Sequence, residues 1–367
     1  MPRVVGVDPG TLSFDLCGLD EGRVFLATSI GAADAARAPT ALVDRLTAAG
    51  PLDLVAAPSG FGLPLTPVAT LDDAQLDLAL LIRDDDRGDP EMVGGLRAML
   101  TALRDRRLPA VMLPGVIHLP TVPSHRKVNR IDMGTADKLC VAALAIWDQG
   151  RRLGLAPGET SFILLELGGA FTAALAVESG RIVDGIGGTS GGLGYRAIGT
   201  LDGEVAYVLG DVPKSALFTG GAVFVAGEPD LAPEALVARS ATAPRARLAW
   251  EAYLEAAAKV IAALRVSVHA PREVLVSGRV AHVPGLLPAL TGRLSGELPI
   301  RALSGFAAEV KEAAQGAALL ADGLAGGAHR DLVEVLALRG ASGSVLDHLY
   351  LAGAEVARRR FSAACES

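Results

Sequence analysis

The chain has 367 residues, half of them apolar and only 4% aromatic, which is enough for two cores and too apolar for a disordered chain. Its formal charge of −7 excludes a surface built for nucleic acid, because phosphate backbones are bound by surplus Lys and Arg. Cys17, Cys140 and Cys365 form neither a disulfide framework nor a zinc pattern, as expected of a reducing compartment.

Met1 leads directly into Val4-Val5-Gly6-Val7, without the basic stretch, apolar core and cleavage site of a secretion signal. No apolar run approaches the roughly 20 residues of a membrane span. A cytoplasmic protein with no membrane partner is expected.

The first segment is an apolar strand, Val4 to Val7, closed by Asp8-Pro9-Gly10-Thr11, then a strand from Ser13 to Leu19, then a turn at Asp20-Glu21-Gly22 into Arg23-Val24-Phe25. The pattern recurs without a gap from Phe162 to Leu167, through Gly168-Gly169, Phe171 to Val177 and Glu178-Ser179-Gly180, into Arg181-Ile182-Val183. Asp8 matches Glu166, Gly10 matches Gly168, Gly22 matches Gly180 and Arg23 matches Arg181. Each copy reads as a three-stranded meander with a glycine where the chain bends or meets a ligand. An internal repeat of this kind predicts two similar lobes.

Between the copies, Thr40 to Ala49 and Pro90 to Arg106 have helical periodicity, and Leu54 to Ala57 and Ala110 to Leu113 read as short strands. The alternation is that of an α/β protein with buried, mostly parallel strands. The loop Ala57-Pro58-Ser59-Gly60-Phe61-Gly62-Leu63-Pro64 follows a strand, where α/β proteins place ligand contacts. Ser59 and Gly60 are candidate substrate contacts.

His125-Arg126-Lys127-Val128-Asn129-Arg130-Ile131-Asp132-Met133-Gly134-Thr135-Ala136-Asp137-Lys138 is the densest polar cluster, followed by an apolar helix from Leu139 to Trp147. Arg126, Lys127, Arg130 and Lys138 beside Asp132 and Asp137 are expected to form a pocket for an anionic substrate with a carboxylate base. Asp184 to Tyr195 is a Gly-rich loop whose Thr189 and Ser190 are further candidate substrate contacts. Trp250 to Leu264 reads as an amphipathic helix, Glu273 to Val280 as a strand ending at Ser277-Gly278, and Glu309 to Gly323 as an Ala-rich helix. Arg330 to Phe361 adds one or two helices expected to cap the second lobe or make a homodimer contact.

The duplicated meander with its acid-x-Gly turns resembles the phosphate-binding elements of the acetate and sugar kinase, heat-shock-70 and actin superfamily. That resemblance implies a duplicated ribonuclease-H-like, actin-like ATPase fold with two lobes around a nucleotide cleft. The N-terminal lobe is expected over 1–150, the C-terminal lobe over 151–327 and a helical extension over 328–367. ATP and Mg²⁺ are the implied cofactors, with Gly10, Thr11, Gly168 and Gly169 at the phosphates and Asp8 and Glu166 at the metal. The strand ending at Ser277-Gly278 resembles the superfamily's adenosine motif.

Gly134-Thr135-Ala136-Asp137-Lys138 looks like the Gly-x-Asp-Arg segment of type III pantothenate kinases, which implies Asp137 as the catalytic carboxylate, with Asp132 next. Leu165 to Gly194 resembles acetate and butyrate kinases, but Glu166 stands where those have a histidine. Together with Val-Gly-Val-Asp-Pro-Gly-Thr and Ala-Pro-Ser-Gly-Phe-Gly-Leu-Pro, the long polar motif resembles the DUF1464 family, labelled predicted butyrate kinases, over residues 1 to about 325. The implied function is ATP-dependent phosphoryl transfer to a small molecule, such as the short-chain carboxylate butyrate. The alternative is a slow or non-catalytic ATP-binding sensor or scaffold. A metal-dependent carbamoyl transferase would need a close histidine pair, whereas His118 and His125 are seven residues apart.

Overall fold

A computed structural model of the chain describes residues 1–10, 13–38, 40–58, 60–83, 94–294, 296 and 298–361. In the first half, β1 (Arg3–Pro9), β2 (Ser13–Asp20) and β3 (Arg23–Gly31) form an antiparallel meander, and β4 (Leu54–Pro58), β5 (Thr66–Pro67) and β6 (Ala110–Leu113) complete a sheet of order β3-β2-β1-β4-β6-β5. The second half contributes β7 (Phe162–Leu167), β8 (Thr172–Glu178), β9 (Arg181–Ile186), β10 (Val274–Ser277) and β11 (Ile300–Ala302) in the order β11-β10-β7-β8-β9. Read from the meander outward, β9-β8-β7-β10-β11 repeats β3-β2-β1-β4-β6.

The repeat extends to backbone detail. Glu21 and Gly22 have φ of 50° and 75°, and Ser179 and Gly180 have φ of 50° and 70°. Two consecutive left-handed residues make the tight hairpin turn whose twist suits the flanking strands, and glycine takes the second position without strain. A register shift falls between Gly18 and Leu19 in one meander and between Ala176 and Val177 in the other.

Two helices run between the halves, Ala136–Leu153 and Glu312–Leu324. Both are rich in alanine, and they cross so closely that a Cβ on Gly316 would lie 1.8 Å from the Cys140 carbonyl oxygen. Glu312–Leu324 also lies directly on β1, where a Cβ on Gly6 would come within 2.2 Å of the Ala318 nitrogen. Small residues thus set the spacing of helix, helix and sheet. The second sheet alternates its faces as a strand of period two must. Ile163 and Leu165 face the long helix Pro244–Leu264 with Tyr253, Leu254 and Ile261, while Phe162 and Leu164 join the core of the first half.

The cores divide the chain differently from the expected boundaries at 150 and 327. Leu303, Ala307, Val310 and the helix Glu312–Leu324, grouped with the second lobe by sequence, pack in the first core. So do Leu332, Leu336, Val345 and Leu349 of the extension. The extension is fastened to the polar loop after β6, where Ser342 N–H donates to His118 O (3.0 Å) and Tyr350 N–H donates to Asn129 Oδ1 (2.7 Å), and it also meets the second half, where a Cβ on Gly180 would lie 2.6 Å from Val335. Among the described residues no helix is long and apolar enough to cross a membrane.

Gly316→Ala should destabilise the protein by about 1–3 kcal/mol, because the added methyl meets rigid backbone. Gly203→Ala, at a position with nothing within 4 Å, should change stability by less than about 0.5 kcal/mol. Urea unfolding of the two variants beside the parent checks both.

Candidate active site

The two acid-x-Gly turns have the same internal bond. Gly10 N–H donates to Ser13 O at 3.0 Å, and Gly168 N–H donates to Phe171 O at 3.0 Å. Asp8 and Glu166 stand at the strand ends just before these turns. Gly169 lies within the second turn, whereas Thr11 lies outside the described residues, as does Ser59 of the loop after β4.

The helix Ala136–Leu153 starts between the two acids. Its first free amide, Ala136 N–H, donates to Gly60 O at 3.0 Å, so Gly60 serves through its carbonyl. The Thr135 hydroxyl donates to Asp137 Oδ1 at 2.5 Å. Lys138 Nζ lies 2.6 Å from Asp137 Oδ2 and 2.8 Å from Glu166 Oε2. An acidic residue in the first helical turn is also favoured by the helix dipole.

These contacts separate the carboxylates electrostatically. Burial alone would raise the Asp137 carboxyl, but the Lys138 charge and the hydrogen bonds from Lys138 and Thr135 hold it below the usual range. Burial disfavours the Lys138 ammonium, yet Asp137 and Glu166 keep it above the ordinary lysine value. Glu166 is pushed up to about 7 by burial, against the pull of Lys138 and with a further push from Asp137 and Asp8. Burial raises Asp8 to about 6, against the pull of Lys311.

Lys311 was not singled out by sequence. It immediately precedes Glu312–Leu324, and its Nζ lies 2.9 Å from Asp15 Oδ2, 3.4 Å from Asp8 Oδ2 and 2.8 Å from Ser13 O. The local signal was a lone lysine before an Ala-rich helix, and its partners lie about 300 positions away.

Asp132 has a different place from Asp137. Its Oδ1 accepts from Gly134 N–H (3.1 Å), and its Oδ2 accepts from both the amide and the hydroxyl of Thr189 (2.8 Å each). Its carbonyl accepts from the Ser190 hydroxyl at 2.6 Å. Asp132, Thr189 and Ser190 therefore bind one another and lock the polar loop to the Gly-rich loop, which leaves Asp137 as the carboxylate at the turns.

The expected four-cation pocket is not assembled. Arg126 donates to Val183 O at 2.7 Å on β9, Lys127 is buried and donates to Leu119 O at 2.9 Å, and Arg130 is exposed. Only Lys138 of the four reaches the carboxylates. The short helix Ser124–Lys127 turns neighbouring cations in different directions, each towards a backbone carbonyl.

On the second half's side, Ser277 is paired in register with Glu166, and its Oγ is buried without a hydrogen-bond partner. A Cβ on Gly278 would lie 2.6 Å from Leu167 O, so β10 ends against the second turn. A strap then spans the halves. Lys214 Nζ donates to Leu80 O (2.5 Å) and Leu81 O (3.0 Å), and Phe218 meets Phe171 edge-on at 5.2 Å. The Thr219-Gly220-Gly221 turn closes on the Gly-rich loop through Gly221 N–H to Arg196 O at 2.8 Å.

Among the described residues no group of three or more His, Cys, Asp or Glu side chains is close enough to hold a metal ion. Asp8 and Glu166 nevertheless fit Mg²⁺. They are carboxylates at the ends of matching strands, both raised by burial, Glu166 Oε2 is buried with no hydrogen-bond partner beyond the Lys138 ion pair, and Mg²⁺ commonly takes one or two carboxylates plus phosphate oxygens and water.

Two sheets of matched order, paired acid-x-Gly turns and helices crossing between them define the actin-like ATPase fold. The chain belongs to the family described as Protein of unknown function (DUF1464), whose model matches residues 6–351. The structure is similar to a propionate kinase from Francisella tularensis subsp. tularensis SCHU S4, with TM-score 0.62 and 14% identity over 86% of this chain and 99% of that one. It is also similar to the acetate kinase of Entamoeba histolytica, with TM-score 0.56 and 12% identity over 80% and 86% of the two chains. The Porphyromonas gingivalis acetate kinase matches with TM-score 0.53 and 15% identity over 76% and 83%. At these identities the likeness is one of fold. No curated protein matches the sequence.

Asp132→Ala leaves three donors without their acceptor and should cost about 2–4 kcal/mol. Asp132→Asn, which can keep one side of the lock, should cost less. Hydrogen exchange at the Thr189 amide should accelerate in the same order, which mass spectrometry of the loop checks.

Proposed function

We propose that the protein is an ATP-dependent phosphotransferase acting on a small molecule in the cytoplasm, with Asp137 as the carboxylate that receives or orients the acceptor's proton. The observation that carries this reading is the Asp137–Lys138–Glu166 array lying at the start of a helix between two matched turns. Thr135 and Lys138 restrain both oxygens of Asp137, so its direction is set before an acceptor arrives. Asp8 and Glu166 are the residues that would hold Mg²⁺, which supplies neutralisation of phosphate charge when bound. The Ser277-Gly278 strand end is the proposed nucleoside contact, and the Lys214–Phe218 strap is suited to exclude water from the cleft.

The acceptor is proposed to be a hydroxyl compound. A short-chain carboxylate such as butyrate would need cations on the acceptor side, whereas Arg126 and Lys127 serve backbone carbonyls and Lys138 faces two acids. A hydroxyl acceptor gives Asp137 a proton to manage. A carboxylate acceptor, already ionised near neutral pH, has none.

ADP release from Mg-ATP should be stimulated by an alcohol in a panel of sugars, polyols, pantothenate-like alcohols and short-chain acids. Asp137→Asn should lower the stimulated rate by about 10²–10⁴-fold with ADP affinity and melting temperature retained. Stimulation by a carboxylate, insensitive to Asp137→Asn, would instead establish an acyl-phosphate-forming kinase. ATP binding without stimulation by any compound would favour the sensor reading.

A further inference from the structure

The two phosphate turns share a feature that the internal repeat does not require. Each acid is paired with a lysine supplied by the other half of the chain. Lys138, from the first half, reaches Glu166 of the second turn at 2.8 Å. Lys311, from the second half, reaches Asp8 of the first turn at 3.4 Å. Both lysines stand at or beside the start of the two helices that cross at Gly316 and Cys140.

The first turn is acidic without Lys311. Asp8 and Asp15 side chains are only 7% and 3% exposed, and the Gly10 N–H already donates to Ser13 O. A nucleotide phosphate entering this turn would meet two carboxylates and a carbonyl. Among the described residues Lys311 Nζ is the cation in direct contact with these groups, while Lys138 acts on Asp8 from farther off, and the Lys311 side chain is 37% exposed. The space for it comes from Gly10, since a Cβ there would lie 2.4 Å from Nζ. The absence of a side chain at Gly10 therefore admits an ammonium into the turn.

From this geometry we infer that Lys311 is a nucleotide-phosphate-binding residue, placed beside the acid of the first turn as Lys138 is placed beside that of the second. The inference rests on the kinase reading and adds a residue to it. The single ammonium offsets part of the negative charge of Asp8 and Asp15. Were Asp8 to hold a metal, the ammonium would still have Asp15 as a partner and a remaining N–H for a phosphate oxygen. A lysine suits this exchange because its three donors sit on a flexible stem. A purely structural ion pair would neutralise the same acids without distinguishing nucleotides by their phosphates.

The test is calorimetric binding of Mg-ADP and of adenosine to the parent and to Lys311→Gln. A lost charge-assisted hydrogen bond should weaken Mg-ADP about 10- to 100-fold, while adenosine affinity stays within about twofold and so reports an intact cleft. A second measurement uses the parent protein and does not depend on the variant folding: acetylation of Lys311 by acetic anhydride, read by mass spectrometry. Mg-ADP should slow it about tenfold or more, and adenosine should leave it unchanged. Equal loss of both ligands in Lys311→Gln, or labelling that Mg-ADP does not slow, would assign Lys311 a structural role and leave the kinase reading standing. Failure of the parent to bind either ligand would overturn both.

Discussion

The close crossing of Ala136–Leu153 and Glu312–Leu324 is the constraint on which the site depends. Neither helix could approach the other at the Gly316–Cys140 contact with a larger residue at position 316. Packing density in a core leaves no slack for such a change. Because the helices are fixed against one another, so are their starts, where Thr135, Asp137, Lys138 and Lys311 lie. The same crossing explains why the first core extends over sequence from both halves. A helix from the second half lies on β1 of the first, and Phe162 and Leu164 of the second sheet face inward to meet that core.

Electrostatics then follow from placement. Four carboxylates, Asp8, Asp15, Asp137 and Glu166, meet two lysines, and the pairing is uneven. Lys138 and Thr135 outweigh burial at Asp137 and hold it low, whereas burial outweighs the lysines at Asp8 and Glu166 and pushes them up to about 6 and about 7. Groups of one chemical type are thereby divided into one carboxylate that is firmly ionised and two that would gain from an added cation. On the proposed reading, the two raised carboxylates are those at the metal and the ionised Asp137 orients the acceptor hydroxyl.

Much of the fold was legible because its signals are local. An acid at a strand end, a glycine two positions on and a Gly-Arg hairpin are demands of backbone geometry, and they recur at matching positions, so the duplication could be read without knowing any contact. The strands β4 and β6 and the helix after Lys138 were similarly visible in apolar periodicity. Arg126, Lys127 and Arg130 misled for the opposite reason. Adjacency in sequence suggested convergence, but each has a separate direction, and Lys127 runs inward to Leu119 O. Asp137 ranked ahead of Asp132 only through resemblance, and the physical difference lies in Thr189 and Ser190, more than 50 residues away, which engage Asp132. Lys311 was illegible because its meaning lies wholly in contacts with Asp8, Ser13 and Asp15.

The loops after β4 and β6 and the Gly-rich loop are held largely by their own groups. Gly60 O takes the Ala136 amide, Gly134 O takes the Val116 amide at 2.9 Å, and Asp132 holds Thr189. His118 bridges this region to the extension, with its ring nitrogens 3.0 Å from Gly62 O and 3.0 Å from Gly343 O. Burial lowers its pKa, so near neutral pH the uncharged ring donates to only one of them. Polar side chains that might have gripped an acceptor are thus engaged in fixing backbone. On the proposed reading, an acceptor is selected by the shape of these loops and by its ability to present a hydroxyl to Asp137. Arg126, Lys127 and Lys138, occupied by carbonyls and acids, give an incoming carboxylate no such advantage.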